Sequence, residues 1–191
     1  MSDPGRHESH DHAELRERGH LTQPLGLASV DCDLLRDVAG TFATGVTVVT
    51  TRTDDGLFGC TANAVTSLSL EPPLMLVCLD RSTKTHPRLL EARAFAINIV
   101  RAGDGAEELC RLFAGKSEHK FDGVAWHEGV TGSPVLDGSL SHLECALEVT
   151  YEGGDHTIFI GRVVAAVRGE GDPILFYRGR FEALHSTARG T

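Results

Sequence analysis

Long apolar runs are missing from this 191-residue chain. Nothing approaches the ~20 consecutive apolar residues that a membrane-crossing helix needs. The polar segment Met1 to His20 also lacks the apolar stretch of a secretory signal. A cytoplasmic location is the resulting expectation. A basic excess is missing too. The net charge is −9, whereas a nucleic-acid binder normally presents a basic face, so the acidity reads as solubility. Paired cysteines are the third absence. Cys32, Cys60, Cys78, Cys110 and Cys145 are scattered with no C-x-x-C, which suggests neither a disulfide framework nor a zinc site. They read as reduced, buried small side chains.

Familiar catalytic signatures are absent as well. No G-x-G-x-x-G follows a strand-like run, which argues against a Rossmann nucleotide domain. Gly115-Lys116-Ser117 imitates the end of a phosphate-binding loop, but that motif needs glycine five residues earlier, where Cys110 stands. H-E-x-x-H and G-x-S-x-G do not occur. No metal site is expected in the folded part. Residues 1–28 carry His7, His10, His12 and His20 among Glu, Arg and Gly. Their composition reads as a disordered tail, with metal chelation as the alternative. Residues 29–191 fit one domain with room for a proper core.

What is present is mostly β. From Asp31, Leu34, Leu35, Val38, Ala39 and Phe42 fall on one helical face, with Asp31 or Asp33 to cap its start and Gly45 to end it. Val46 to Thr51 is β-branched throughout, and Asp54-Asp55-Gly56 turns it back through Leu57 to Asn63. Leu74 to Leu79 reads as a strand buried on both faces. Thr85 is placed to cap a short helix containing Pro87, Leu89 and Leu90. Phe95 to Val100 is a strand and Gly105 to Phe113 a helix with Leu109, Leu112 and Phe113 inward; Ala114 to Gly123 is loop. In the last third Leu143, Cys145, Leu147, Val149 and Tyr151 alternate with Glu144, Glu148 and Thr150, a period of two. Gly153-Gly154-Asp155 turns into a long strand, Thr157 to Val167. Ile174 to Tyr177 and Phe181 to Leu184 pair across Arg178-Gly179-Arg180. Many short antiparallel strands with few, short helices favour a closed barrel over a doubly wound sheet.

The stretch that organises the rest is Gly59 to Pro73, where Asn63, Thr66, Ser67 and Ser69 interleave with Ala64, Val65, Leu68 and Leu70 before Pro72-Pro73. Such alternation supports a half-buried strand or turn. It equally suits a loop that offers backbone N–H groups and hydroxyls to an anionic or heteroaromatic ligand.

Taken with Ala43 to Thr51 before it and Gly153-Gly154-Asp155-His156 after it, this stretch resembles the short-chain flavin reductase family. These are the small NAD(P)H:flavin oxidoreductases that supply reduced flavin to two-component monooxygenases. The resemblance runs from about Leu34 to Leu184. It implies a mainly β chain with short helices, an FMN-binding split β-barrel, Greek-key-like and homodimeric, with flavin near the subunit interface. By the same resemblance, Thr61, Ala62, Asn63, Ala64, Val65, Thr66, Ser67, Ser69 and Leu70 line the isoalloxazine and ribityl chain of FAD or FMN. Lys84, Thr85 and His86 match the segment that receives the flavin phosphate; for Lys84 the alternative is a solvated surface charge. Gly154, Asp155, His156 and Thr157 match the turn that contacts the nicotinamide of NADH. His156 is the candidate catalytic residue there, its alternative a hairpin histidine without a role. Tyr177-Arg178-Gly179, and Phe113 with Lys120 and Phe121, match vaguer features. The family often has serine or glutamine near Asn63 and Ala64, and aromatics near Val65 and His86, which leaves FAD against FMN open. The function implied is NADH-dependent flavin reduction for a partner monooxygenase, the alternative a non-catalytic flavin carrier.

Overall fold

The structure, a computed structural model, describes residues 27–184. The expected tail therefore lies outside the described residues, apart from Leu27 and Ala28, which have no regular structure. In chain order the elements are α1 (Cys32–Ala39), β1 (Thr44–Gly45), β2 (Thr47–Thr53), β3 (Gly56–Ala62), β4 (Val65–Leu70) and β5 (Pro73–Asp80). They continue with α2 (Thr85–Ala92), β6 (Ala94–Val100), α3 (Ala106–Ala114), β7 (Trp126–Glu128) and β8 (Pro134–Leu136). The chain closes with β9 (Ser139–Gly153), β10 (His156–Arg168), β11 (Ile174–Tyr177) and β12 (Arg180–Ala183). No described helix is long and apolar enough to cross a membrane.

Seven strands form one antiparallel sheet in the order β3-β2-β6-β9-β10-β5-β4. Its two outermost strands, β3 and β4, are neighbours in the chain, joined only by Asn63 and Ala64. Three residue steps span at most ~11 Å, so the sheet curls until its ends approach one another at this corner. Smaller sheets, β1-β11-β12 and β7-β8, pack beside it.

Two cores result, and β2 serves both. Val49 faces a cluster with Val77, Leu79, Phe95, Ile97, Cys145 and Phe159, while Val46 and Val48 face another with Cys110, Phe113, Leu136 and Ile174. A strand buried on both sides has to be apolar or internally satisfied at every position. Thr47, Thr50 and Thr51 meet that condition by donating to the carbonyls of Ala62, Pro134 and Ala94. The β7-β8 hairpin buries Val135 and Leu136 and is pinned by polar groups as well. Buried Asn98 donates to Val48 O and Thr50 Oγ1 and accepts from Leu136 N. Buried Glu144 accepts from both the N–H and the hydroxyl of Thr131 at 2.8 Å. Burial pushes the Glu144 carboxyl up, but the hydrogen bonds from Thr131 and Val130 outweigh it and hold it below its ordinary value.

Several expectations need correction. Helix α1 ends at Gly40, not Gly45, which belongs to β1. Asp31 does cap its start, accepting from Leu34 N at 2.8 Å. Its apolar stripe is not buried: Val38 is 61% and Phe42 77% exposed. Thr85 is not a cap. Lys84 holds that position without a side-chain capping bond, and Thr85 turns its hydroxyl inward to the Cys60 thiol. Strand β5 buries Val77 and Leu79 but only half-buries Leu74, Met75, Leu76 and Cys78, so one face remains open. Among the cysteines, all free, Cys32 is exposed and Cys78 half-buried.

The tightest packing in the first core is at Gly161. A Cβ there would lie 2.6 Å from Phe95 Cζ and 2.7 Å from Cys145 Cβ. Gly161→Ala is expected to lower stability by about 1–3 kcal/mol. Urea unfolding checks this, and an unchanged midpoint would contradict it.

Candidate functional site

A cavity of about 1020 Å³ opens at the corner where β3 passes into β4. Asn63, Ala64, Val65, Thr66 and Ser67 form one wall, and Leu76, Cys78 and Ile99 contribute apolar surface. Helix α1 covers another side through Arg36, Ala39 and Gly40. Strand β4 is a sheet edge, hydrogen-bonded only to β5, so one side of its backbone is available to a ligand. Asn63 Nδ2 donates to Thr44 Oγ1 at 3.3 Å, and Ala64 O accepts from Cys78 N at 2.9 Å. Volume, apolar walls and a polar edge of small residues match what a planar heteroaromatic ligand requires. The residues present fit a flavin.

The expected flavin-lining residues divide. Asn63 through Ser67 line the cavity. Thr61 does not; its hydroxyl donates to Cys110 O at 2.6 Å on the side of α3. Ala62 is buried in the first core. Ser69 and Leu70 lie further along β4, with Leu70 88% exposed.

Lys84, Thr85 and His86 are not in the cavity wall but at the start of α2, and there they meet the other expected segment. The β5–β10 register sets His156 opposite Asp80 and Ile158 opposite Cys78. Asp80 is two residues beyond Cys78 on the same face of β5, roughly 7 Å along the strand. Asp80 and His156 are thus the next outward-facing pair along β5 and β10 from Cys78, just beyond the residues that line the cavity. Gly154, with φ of 70°, makes the tight turn before His156, and His156 Nδ1 lies 2.7 Å from Asp155 Oδ1. A carboxylate only accepts, so Nδ1 is the donor, and in the neutral imidazole Nε2 is then the acceptor.

His86 Nε2 and Thr157 Oγ1 are 2.8 Å apart, which joins the two expected segments directly. Thr157 Oγ1 also accepts from Arg81 Nε at 3.3 Å. The hydroxyl proton is therefore free to be donated to His86. Burial pushes the His86 imidazole below its ordinary value; the Arg81 guanidinium pushes the same way and Asp80 opposes both. Asp80 itself is held low by the N–H and hydroxyl of Ser82, with lesser help from His156 and His86.

Arg81 escaped the sequence reading, although it stands in the polar Asp80-Arg81-Ser82 triplet that ends an apolar strand. So did the contribution of α1 and of Phe176 to the cavity. Gly179, in the Arg178-Gly179 turn where both residues have positive φ, also reaches the cavity. Lys120 turns out to brace the chain after α3, donating to Gly59 O at 3.1 Å and Phe113 O at 2.7 Å. Burial holds its ammonium below the usual lysine range, with Cys60 opposing and Lys84 adding. Phe121 packs edge-on against Phe113. Among the described residues no cluster of three or more His, Cys, Asp or Glu is arranged to hold a metal.

Residues 39–185 match the family described as flavin reductase like domain. The chain belongs to that family. It is 44% identical over 153 residues to an NADH-dependent FAD reductase of Streptomyces globisporus, covering 77% of this chain and 82% of that protein. It is 42% identical over 162 residues to the reductase component of the 4-nitrophenol 4-monooxygenase/4-nitrocatechol 2-monooxygenase of Rhodococcus opacus, covering 85% and 83%. The solved NADH:FAD oxidoreductase of Streptomyces globisporus C-1027, in complex with NAD and FAD fragments, superposes with a TM-score of 0.78. Its identity is 42%, over 85% of this chain and 99% of that one.

His86 charges less readily folded than unfolded, so its contribution to stability is complete above about pH 6.5. That contribution is lost as the pH falls below this value toward the lowered folded pKa. Arg81→Gln is expected to move the His86 titration back toward 6.5. Imidazole chemical shifts followed with pH check this; an unmoved His86 would mean that Arg81 is not felt there.

Proposed function

We propose that this chain is an NADH-dependent flavin reductase that reduces FAD or FMN and supplies the free reduced flavin to a partner monooxygenase. The observation that carries this reading is the β4-edge cavity, with the His86–Thr157 pair and the His156 turn beyond it at the end of β5, in a chain of the flavin reductase family. A flavin, when bound, takes a hydride from a dihydronicotinamide, chemistry that chiefly needs stacking at close range.

The chain's own residues have distinct tasks. Asn63 to Ser67, with their small side chains and edge backbone, receive the ring and the ribityl chain. Thr61, Ala62, Ser69 and Leu70 act on that wall from behind or beyond it. Lys84 and the main chain at the start of α2, at Thr85 and His86, receive the phosphate, the Thr85 side chain itself being buried. Gly154 and Asp155 set His156, whose Nε2 lone pair accepts from the nicotinamide carboxamide, while Thr157 ties this turn to His86. A β4 wall of neutral donors, with cations only at its margins in Arg36 and Lys84, binds flavin moderately, which suits a product that must leave. A dinucleotide donor is a reason to expect the protein in the cytoplasm.

The fold is read as a split barrel that works as a homodimer. Tyr151 and Val164, 49% and 52% exposed, lie with Val149, Ile158 and Ile160 on the outer face of β9 and β10. That face runs into the cavity through Leu76 and Cys78, their partners across β5 being Ile160 and Ile158. A second copy would bury it and complete the cavity wall.

Two measurements test this reading. Steady-state NADH oxidation with FAD, FMN and riboflavin in turn should show turnover, and His156→Ala should slow it roughly 10- to 100-fold with flavin affinity nearly unchanged. Loss of flavin affinity with turnover intact would move His156 into the flavin shell. Sedimentation should give a dimer, and Val164→Glu should shift it toward monomer; a wild-type monomer would end the dimer proposal.

A further inference from the structure

The ammonium of Lys84 has a partner. Glu118 Oε1 lies 2.5 Å from Lys84 Nζ, across 34 positions of sequence. Glu118 is not on a loose loop. Two residues on, Lys120 is fastened to the carbonyls of Gly59 and Phe113, and Phe121 packs against Phe113 with ring centroids 5.2 Å apart. Around Glu118 itself the chain is closed into a turn, in which Ser117 Oγ accepts from His119 N at 3.1 Å. The carboxylate is thereby presented to the start of α2 by a braced segment. Lys84 in turn holds the Glu118 carboxyl below its ordinary value through a hydrogen bond and its charge.

A carboxylate on Lys84 has a consequence for any phosphate that uses the same ammonium. The incoming group must displace Glu118 or share the lysine with it, and sharing sets two anions within a few ångströms of each other. A flavin without phosphate meets neither obstacle. We propose that Glu118 is a specificity-determining residue, whose carboxylate competes with the flavin phosphate for Lys84 and so weakens FMN and FAD relative to riboflavin. This rests on the assignment of Lys84 to the phosphate. It gives the reductase a built-in means of keeping its phosphorylated product loosely held. Both side chains are largely exposed, at 60% and 75%, so the effect is bounded by what a solvated ion pair can exert.

The test is equilibrium titration of riboflavin, FMN and FAD into the full chain and into Glu118→Gln, Lys84→Ala and the double variant. Glu118→Gln is expected to tighten FMN and FAD roughly 3- to 5-fold and to leave riboflavin unchanged. In the Lys84→Ala background the same substitution should have no effect on any flavin. Tightening that persists there would mean simple repulsion from the phosphate and would overturn the competition. Equal tightening of riboflavin would point to a change in the loop and overturn it too. If Lys84→Ala weakens FMN but Glu118→Gln does not tighten it, the Glu118 proposal alone falls. If Lys84→Ala leaves FMN binding as it was, the phosphate assignment fails and the proposal fails with it.

Discussion

The register between β5 and β10 is the constraint on which the site depends. Val77 and Leu79 on one strand, and Thr157 and Phe159 on the other, face inward. Side chains alternate along a strand, so Asp80, Cys78 and Leu76 must face outward beside His156, Ile158 and Ile160. A slip of one residue would turn Phe159 to solvent and drive His156 into the first core. The packing of that core therefore fixes the histidine turn on the same outer face as the cavity-lining Leu76 and Cys78.

The polar groups of the site are gathered where the sheet stops. Asp80 ends β5 with Arg81 and Ser82 just beyond it, Lys84 to His86 begin α2, and Asp155 to Thr157 turn into β10. Strand ends let charged groups stay wet while their backbone remains ordered. Thr157 belongs to both regimes. Its side chain is nearly buried, yet its hydroxyl links Arg81 to His86. The β5 end thus acts with the α2 start as one unit rather than as two neighbouring segments.

Much of the fold was legible because it follows from periodicity. The β-branched run from Val46 to Thr51, the turn at Asp54-Asp55-Gly56 and the alternation of Leu143 to Tyr151 all became strands and turns at or near their expected bounds. The hairpin Trp126–Glu128 with Pro134–Leu136 was not legible. Its strands are three residues each, too short to show a period, and the groups that place them, the second core around Leu136 and the side chains of Asn98 and Glu144, come from distant strands. Thr85 was misread as a cap because the local pattern fits one; Cys60 opposite it, in space only, claims the hydroxyl. The stretch Gly59 to Pro73 was recognisable as special, and its middle third does line the cavity. Its ends do not, since Thr61 answers to Cys110 and Leu70 to solvent. Arg81 had only the weak signal of a polar triplet ending an apolar strand and Glu118 had none, because each acquires meaning from a partner far along the chain.

Lys120 gives the segment after α3 a character that its composition conceals. Rich in glycine, serine and charge, it has the look of a floppy connection. To lift away from the sheet, however, it must pull an ammonium out of a shielded pocket and strand two main-chain acceptors, Gly59 O and Phe113 O, in one motion. Partial fraying offers no relief from that penalty. The segment is held in an all-or-none fashion, more like a riveted plate than a hinge, and the wall beside the α2 start inherits its rigidity.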